Sequence, residues 1–191
     1  MKLTTERLKQ IIKEELKNVL SEEPEGTKEL SDYIGLYAPG VLRVFHYTPK
    51  GGHSEQDSMV VDPEMFGKQR YTMRDVNASG YKRSYWYVDL ENTEGMVTSG
   101  HGGLFYADIP GNKIYDWQND PEGMHKKHKH PQYSFLQWDN FFEDIRQNYV
   151  GTYHRLGYRA SGEPTVMTFD KIKAIKTTKE EQDAILSGNK Q

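Results

Sequence analysis

From Tyr37 onward the chain is cut into short runs rich in β-branched and aromatic residues. They are Val41-Leu-Arg-Val-Phe-His-Tyr-Thr48, Ser84-Tyr-Trp-Tyr-Val-Asp89, Gly103-Leu-Phe-Tyr-Ala-Asp-Ile109 and Pro164-Thr-Val-Met-Thr-Phe169, separated by Gly, Pro and Asn. Runs of this length and punctuation predict strands. Helical periodicity does not alternate with them, which argues against βαβ units and for an α+β domain. A sheet needs a core, and only 35% of the residues are hydrophobic, so the 13 Tyr, 7 Phe and 3 Trp must supply much of it. Each such ring buries a large area, and a disordered chain would not carry so many.

The 191 residues suffice for one domain with appendages. At the N-terminus Leu8, Ile11, Ile12, Leu16, Val19 and Leu20 recur at spacings of three and four with Lys and Glu between them, predicting an amphipathic helix over 1–22. An acidic stretch containing Pro and Gly, 23–36, reads as a linker. The helix is therefore either a detachable docking element or a cover whose stripe packs on the domain that follows. The domain itself is expected over 37–176, with a short helix and tail over 177–191. Ser134-Phe-Leu-Gln137 has the form of a capping box and opens a helical run through Phe135, Trp138, Phe142, Ile145 and Tyr149; Thr178-Lys-Glu-Glu181 is a second box.

With 25 Lys+Arg against 28 Asp+Glu the net charge is −3, which argues against a protein working mainly by neutralising nucleic-acid phosphates. No run approaches a spanning helix, and charges interrupt the N-terminal stretch, unlike a secretory signal; a soluble, cytoplasmic protein is expected. The absence of Cys excludes disulfides, thiolate nucleophiles and cysteine zinc sites, leaving oxygen and nitrogen groups for any covalent chemistry. Lysines interleave the histidines of His125-Lys-Lys-His128-Lys-His130, which reads as a solvated basic loop rather than a metal site, and no metal is expected.

Three features sit at strand ends or beside strands. Phe45-His46-Tyr47-Thr48-Pro49 runs into the turn Lys50-Gly51-Gly52-His53. In Lys82-Arg83-Ser84-Tyr85-Trp86-Tyr87, alternation sends Tyr85 and Tyr87 to one face and Trp86 to the other. Glu163 stands immediately before an apolar strand, following Gly157-Tyr158. Together with Asp62-Pro63, Gly67-Lys-Gln-Arg70 and the ending Phe169-Asp-Lys-Ile-Lys173, their order resembles the His–Tyr–Glu branch of the ADP-ribosyltransferase fold, and more closely its small phage- and plasmid-encoded domains. The likeness spans roughly residues 41–175 and rests on the order of short motifs.

That resemblance implies a split β-sheet core with flanking helices and NAD as substrate. The activity implied is mono-ADP-ribosyl transfer to a macromolecular acceptor, protein or nucleic acid, by a phage-encoded protein acting in host cytoplasm or carried in a virion. It implies that His46 bonds a ribose hydroxyl, that the main chain of Tyr47 pairs with the carboxamide, and that Tyr85 or Tyr87 stacks on nicotinamide. Thr48 and Arg83 fall among the NAD-binding residues, and Glu163 would stabilise the cation-like sugar. Phe105, Tyr106 and Tyr115 compete for the stacking role. Two other readings stand beside it: a catalytically inactive binding or virion-assembly protein with a docking partner for the N-terminal helix, and a metal-independent ribonuclease using His46, His53 and a Tyr.

Overall fold

The computed structural model describes residues 28–48, 55–65, 82–89, 103–129, 137–155 and 164–186. The N-terminal helix expected over 1–22 lies outside them, as do His53, Gly67, Arg70, Gly157, Tyr158 and Glu163. Among the described residues eight strands form: β1 (Val41–Thr48), β2 (Ser58–Val61), β3 (Ser84–Tyr87), β4 (Gly103–Pro110), β5 (Ile114–Asp116), β6 (Gly151–His154), β7 (Thr165–Thr168) and β8 (Ile172–Lys176). The helices are α1 (Leu30–Tyr33), α2 (Met124–His128), α3 (Trp138–Asn148) and α4 (Lys179–Leu186). The protein is thus mixed α+β.

The strands join in one sheet, ordered β2-β8-β4-β1-β3-β7-β6-β5. Neighbours are antiparallel except β5 and β6, which run parallel. The longest ladder joins β1 to β4, from Val41↔Pro110 to Thr48↔Gly103. The next is the narrowest: β1 meets β3 at one register pair, Phe45↔Tyr87. The sheet is therefore two four-stranded halves, β2-β8-β4-β1 and β3-β7-β6-β5, joined along a seam one residue pair wide.

Period-two alternation sorts the core onto the two faces. Leu42, Val44, Trp86, Phe105, Ala107, Tyr153, Val166 and Ala174 line the first and are buried there. On the second, Phe45 and Leu104 are buried beneath Tyr47, Tyr87 and Tyr106 over one half. Over the other half, Met167 and Tyr115 meet Phe141, Phe142 and Ile145 of α3. Burying each of these large side chains is worth about 1.5–3 kcal/mol, so α3 is held chiefly by its inward face.

The two helix-start signals behave differently. At α4 the box is complete: the Thr178 amide donates to Glu181 Oε2 at 2.7 Å and the Glu181 amide to Thr178 Oγ1 at 3.1 Å. At α3 the helix begins at Trp138 with Gln137 at the cap position and no side-chain capping bond. Ser134, which opens the other box, lies outside the described residues.

The described part of the acidic stretch is fastened to the sheet. Leu30 and Tyr33 of α1 are buried on the first face, and Ile34 bridges to Leu42. The Tyr153 hydroxyl donates to the Lys28 carbonyl at 2.8 Å. Lys28 pairs with Asp89 at 3.2 Å and Glu29 with Arg155 at 3.0 Å. Among the described residues no helix is long and apolar enough to cross a membrane.

Candidate functional site: the seam between β1 and β3

Three sequence features singled out above fall on consecutive strands. His46 lies in β1, Tyr85 and Tyr87 lie in β3 beside it, and β7, whose first residue is Thr165, pairs with β3 through Tyr87↔Thr165. Glu163 is outside the described residues; in sequence it stands two residues before Thr165.

His46 spans the seam. Its Nδ1–H donates to the Tyr85 carbonyl at 3.1 Å, a bond from a β1 side chain to the β3 main chain where the ladder is narrow. A carbonyl can only accept, so Nδ1 carries the proton and Nε2 of the neutral ring is left as an acceptor. Burial pushes the His46 pKa below its ordinary value, and the bond to Tyr85 works against that shift. The ring is half-buried and packs 5.3 Å from the Trp86 ring, tilted by 60°.

Alternation then decides which groups meet. His46 shares the first face with Trp86 and with its register partner Phe105, both fully buried. Tyr85, Tyr87 and Tyr47 stand on the second face. The structure thus joins His46 to β3 through the Tyr85 main chain, while the two candidate stacking rings project from the opposite side of the sheet. The competing rings divide likewise: Phe105 lies beside His46, whereas Tyr106 and Tyr115 belong to the second face.

The remaining predicted residues have structural partners of their own. Thr48 Oγ1 donates to the Gly103 carbonyl at 3.3 Å. Arg83 is only 6% exposed; its Nε donates to the Tyr85 hydroxyl at 2.8 Å, with the guanidinium 5.6 Å from the Tyr85 ring centre. This contact fixes the Tyr85 ring from its polar end. The Tyr47 hydroxyl is buried, and burial raises its pKa.

Sequence reasoning missed a row crossing six strands of the second face: Ile175, Tyr106, Phe45, Tyr87, Thr165 and His154 are register partners in turn. Thr165 Oγ1 is buried and has no hydrogen-bond partner among the described residues, and the His154 ring lies 4.3 Å from Trp117. The parity of each strand was readable, but the register that brings these residues together depends on pairings distant in sequence.

No family model, curated protein or solved structure matches this chain.

The basic run reads differently in the structure from a loop. Its residues 125–128 lie in α2, in which His128 Nε2 lies 2.8 Å from Asp144 Oδ2, Lys127 pairs with the same carboxylate, and His125 packs 5.7 Å from Trp117; His130 lies outside the described residues. Both partners hold the Asp144 pKa low. Among the described residues, no group of three or more His, Cys, Asp or Glu is arranged to hold a metal ion.

Proposed function

We propose that the chain is an NAD-dependent mono-ADP-ribosyltransferase acting on a macromolecular acceptor, with NAD entering at the β1–β3 seam of a split, ADP-ribosyltransferase-like core. The observation that carries this reading is the adjacency of β1, β3 and β7, the strands bearing or following His46, Tyr85/Tyr87 and Glu163. In the reaction the bond between nicotinamide and ribose breaks, nicotinamide leaves with the bonding pair, and the acceptor bonds the sugar carbon as it gives up its proton. His46 Nε2 has the free lone pair to accept a ribose hydroxyl. The Glu163 carboxylate would stabilise the cation-like sugar, which makes it the principal catalytic residue. Tyr85, steadied by Arg83, or Tyr87 would hold the flat leaving ring. A phage source, and action in host cytoplasm, belong to the same proposal.

Residue types at the seam fit a dinucleotide in part. His46 supplies an acceptor, but it and the two tyrosine rings stand on opposite faces of a sheet whose strands are joined there by the Phe45↔Tyr87 pair and the His46–Tyr85 bond, so one NAD molecule lying on a face meets only one of them. This separation favours a second reading, a catalytically inactive transferase-like protein serving in binding or virion assembly.

The deciding experiment is nicotinamide release from labelled NAD, wild type beside Glu163→Gln, with NAD binding followed by calorimetry. Release in the wild type that falls at least about 100-fold in the variant, with binding intact, supports the transferase; general acid–base and electrostatic contributions of this kind are typically about 100-fold or more. NAD binding without release selects the inactive reading, and no binding at all removes NAD from both.

A further inference from the structure

The seam between the two half-sheets is crossed on its first face by residues 28–34, which are fastened to both halves. At one end Ile34 bridges to Leu42 of β1, and the Gly35 amide donates to the Val41 carbonyl at 2.9 Å, so this end is a main-chain hairpin on the first half. At the other end the fastenings belong to the second half. The Tyr153 hydroxyl of β6 donates to the Lys28 carbonyl at 2.8 Å, and Lys28 Nζ lies 3.2 Å from Asp89, just past β3. The Glu29 carboxylate accepts from Arg155, just past β6, and from the Asn119 side-chain amide, just past β5, each at 3.0 Å. Between the two ends Leu30 and Tyr33 are buried among the residues of that face. In the sheet β6 lies three strand spacings from β1, about 14 Å, so the segment passes over the seam to reach its second anchor.

The two ends are built differently. Main-chain bonds hold the hairpin end, whereas ion pairs and side-chain hydrogen bonds hold the far end. In each ion pair the member on the segment is the exposed one: Lys28 and Glu29 are 37% and 39% exposed, against 12% for Asp89 and 7% for Arg155. Exposed charges are screened by salt, while a buried charge depends on its counter-charge.

We propose that residues 28–34 are a clasp: hinged on β1, they latch through Lys28 and Glu29 onto the second half and hold the seam closed on the first face. Release at the latch lets the halves open there about the Phe45↔Tyr87 pair. His46 and Trp86 pack 5.3 Å apart on that face, one ring from each half, so the latch sets how far those rings can part. This stands on the contacts of the segment and is independent of the transferase reading.

The test is a distance across the seam in the full chain. With no native cysteine, spin labels can be placed at Val60→Cys of β2 and Gln147→Cys of α3, both exposed. Val60 belongs to the first half, and α3 packs on the second face of the second half. Opening on the first face folds the halves toward each other on the second, where both labels stand. Double electron–electron resonance should therefore find, in Lys28→Ala/Glu29→Ala, a shorter-distance population several-fold larger than in the labelled parent. Arg43→Gln, which breaks the Arg43–Asp108 pair inside the first half, should leave the distribution as it is. An unchanged distribution in the latch variant, an equal change in Arg43→Gln, or a shift to longer distance would overturn the proposal. If the double variant unfolds, Glu29→Gln, which removes the charge and keeps the shape, is read against the same three outcomes.

Discussion

Asp120 offers the sharpest energetic test of the fold. It follows β5 with φ +44°, in the left-handed region that L residues other than Asn and Asp rarely enter. Its carboxylate accepts from the Tyr115 hydroxyl at 2.5 Å, the His125 amide at 2.7 Å and the Lys126 amide at 3.2 Å. Burial works to raise its pKa, but these bonds together hold it below the ordinary carboxylate value. In Asp120→Asn one oxygen remains for Tyr115 and His125, the Lys126 amide loses its acceptor, and Asn tolerates the backbone; a cost of about 1–2 kcal/mol is expected. Asp120→Ala loses all three bonds, leaves the Tyr115 hydroxyl accepting from the Met124 amide but with its own proton unaccepted, and adds roughly 1 kcal/mol of left-handed strain, giving about 3–4 kcal/mol in all. The sign with pH follows from the lowered pKa: the ionised group's contribution is complete above the unfolded value of about 4 and disappears as pH falls through the folded one. Urea unfolding followed by tryptophan fluorescence at pH 7 and pH 3 measures both effects. Equal costs for Asn and Ala, or an Asn cost unchanged at pH 3, would refute the reasoning.

Three further outcomes are expected. Direct NMR titration should find His46 titrating below the ordinary histidine value of about 6.5 with its proton on Nδ1 in the neutral form; because the unfolded chain takes up that proton first, this residue withdraws stability as pH falls below about 6.5. A titration at or above that value would remove the burial argument. Gly151→Ala should unfold the protein or cost several kcal/mol, since its Cβ would lie 2.3 Å from the Met167 carbonyl oxygen, whereas Gly111→Ala meets only the movable Ile34 side chain at 2.6 Å and should cost less; reversal of that order in thermal melts would contradict the packing. Trp86→Phe removes the bond from its Nε1–H to Thr168 Oγ1, 2.8 Å long and fully buried, and should lower stability by about 1–3 kcal/mol in denaturant titration, while Thr168→Val alone should cost less.

Four of the eight described strands, β1, β3, β4 and β7, were legible because aromatic and β-branched runs with Gly and Pro between them have few other uses. Val41–Thr48 and Ser84–Tyr87 form where that pattern places them, and the Thr178 box caps its helix as the spacing demands. The start of α3 was less legible: Gln137 stands at its cap position with no side-chain capping bond, and Trp138 packs on Phe142 and Trp117, while Ser134 lies outside the described residues. At the candidate site, alternation within β3 separated Trp86 from Tyr85 and Tyr87, but which of the two faces His46 joins depends on the Phe45↔Tyr87 register. That register is a tertiary fact with no local signature. Leu30 and Tyr33 were overlooked as core because acidic neighbours surround them.

The one-pair seam has a topological side. Following the chain, β1 and β2 lie in one half, β3 in the other, β4 back in the first, β5 to β7 in the second and β8 in the first again. Neither half is a continuous stretch of sequence, so no single cut in the chain can separate them; the second half is complete only at β7, after three strands of the first, and the first only at β8. The line of fewest main-chain bonds is nevertheless crossed four times by the covalent chain between β1 and β8. Such a joint can gape without coming apart, and a native-state exchange experiment should find the amides on either side of it opening at lower free energy than those of the β1–β4 ladder, without release of either half.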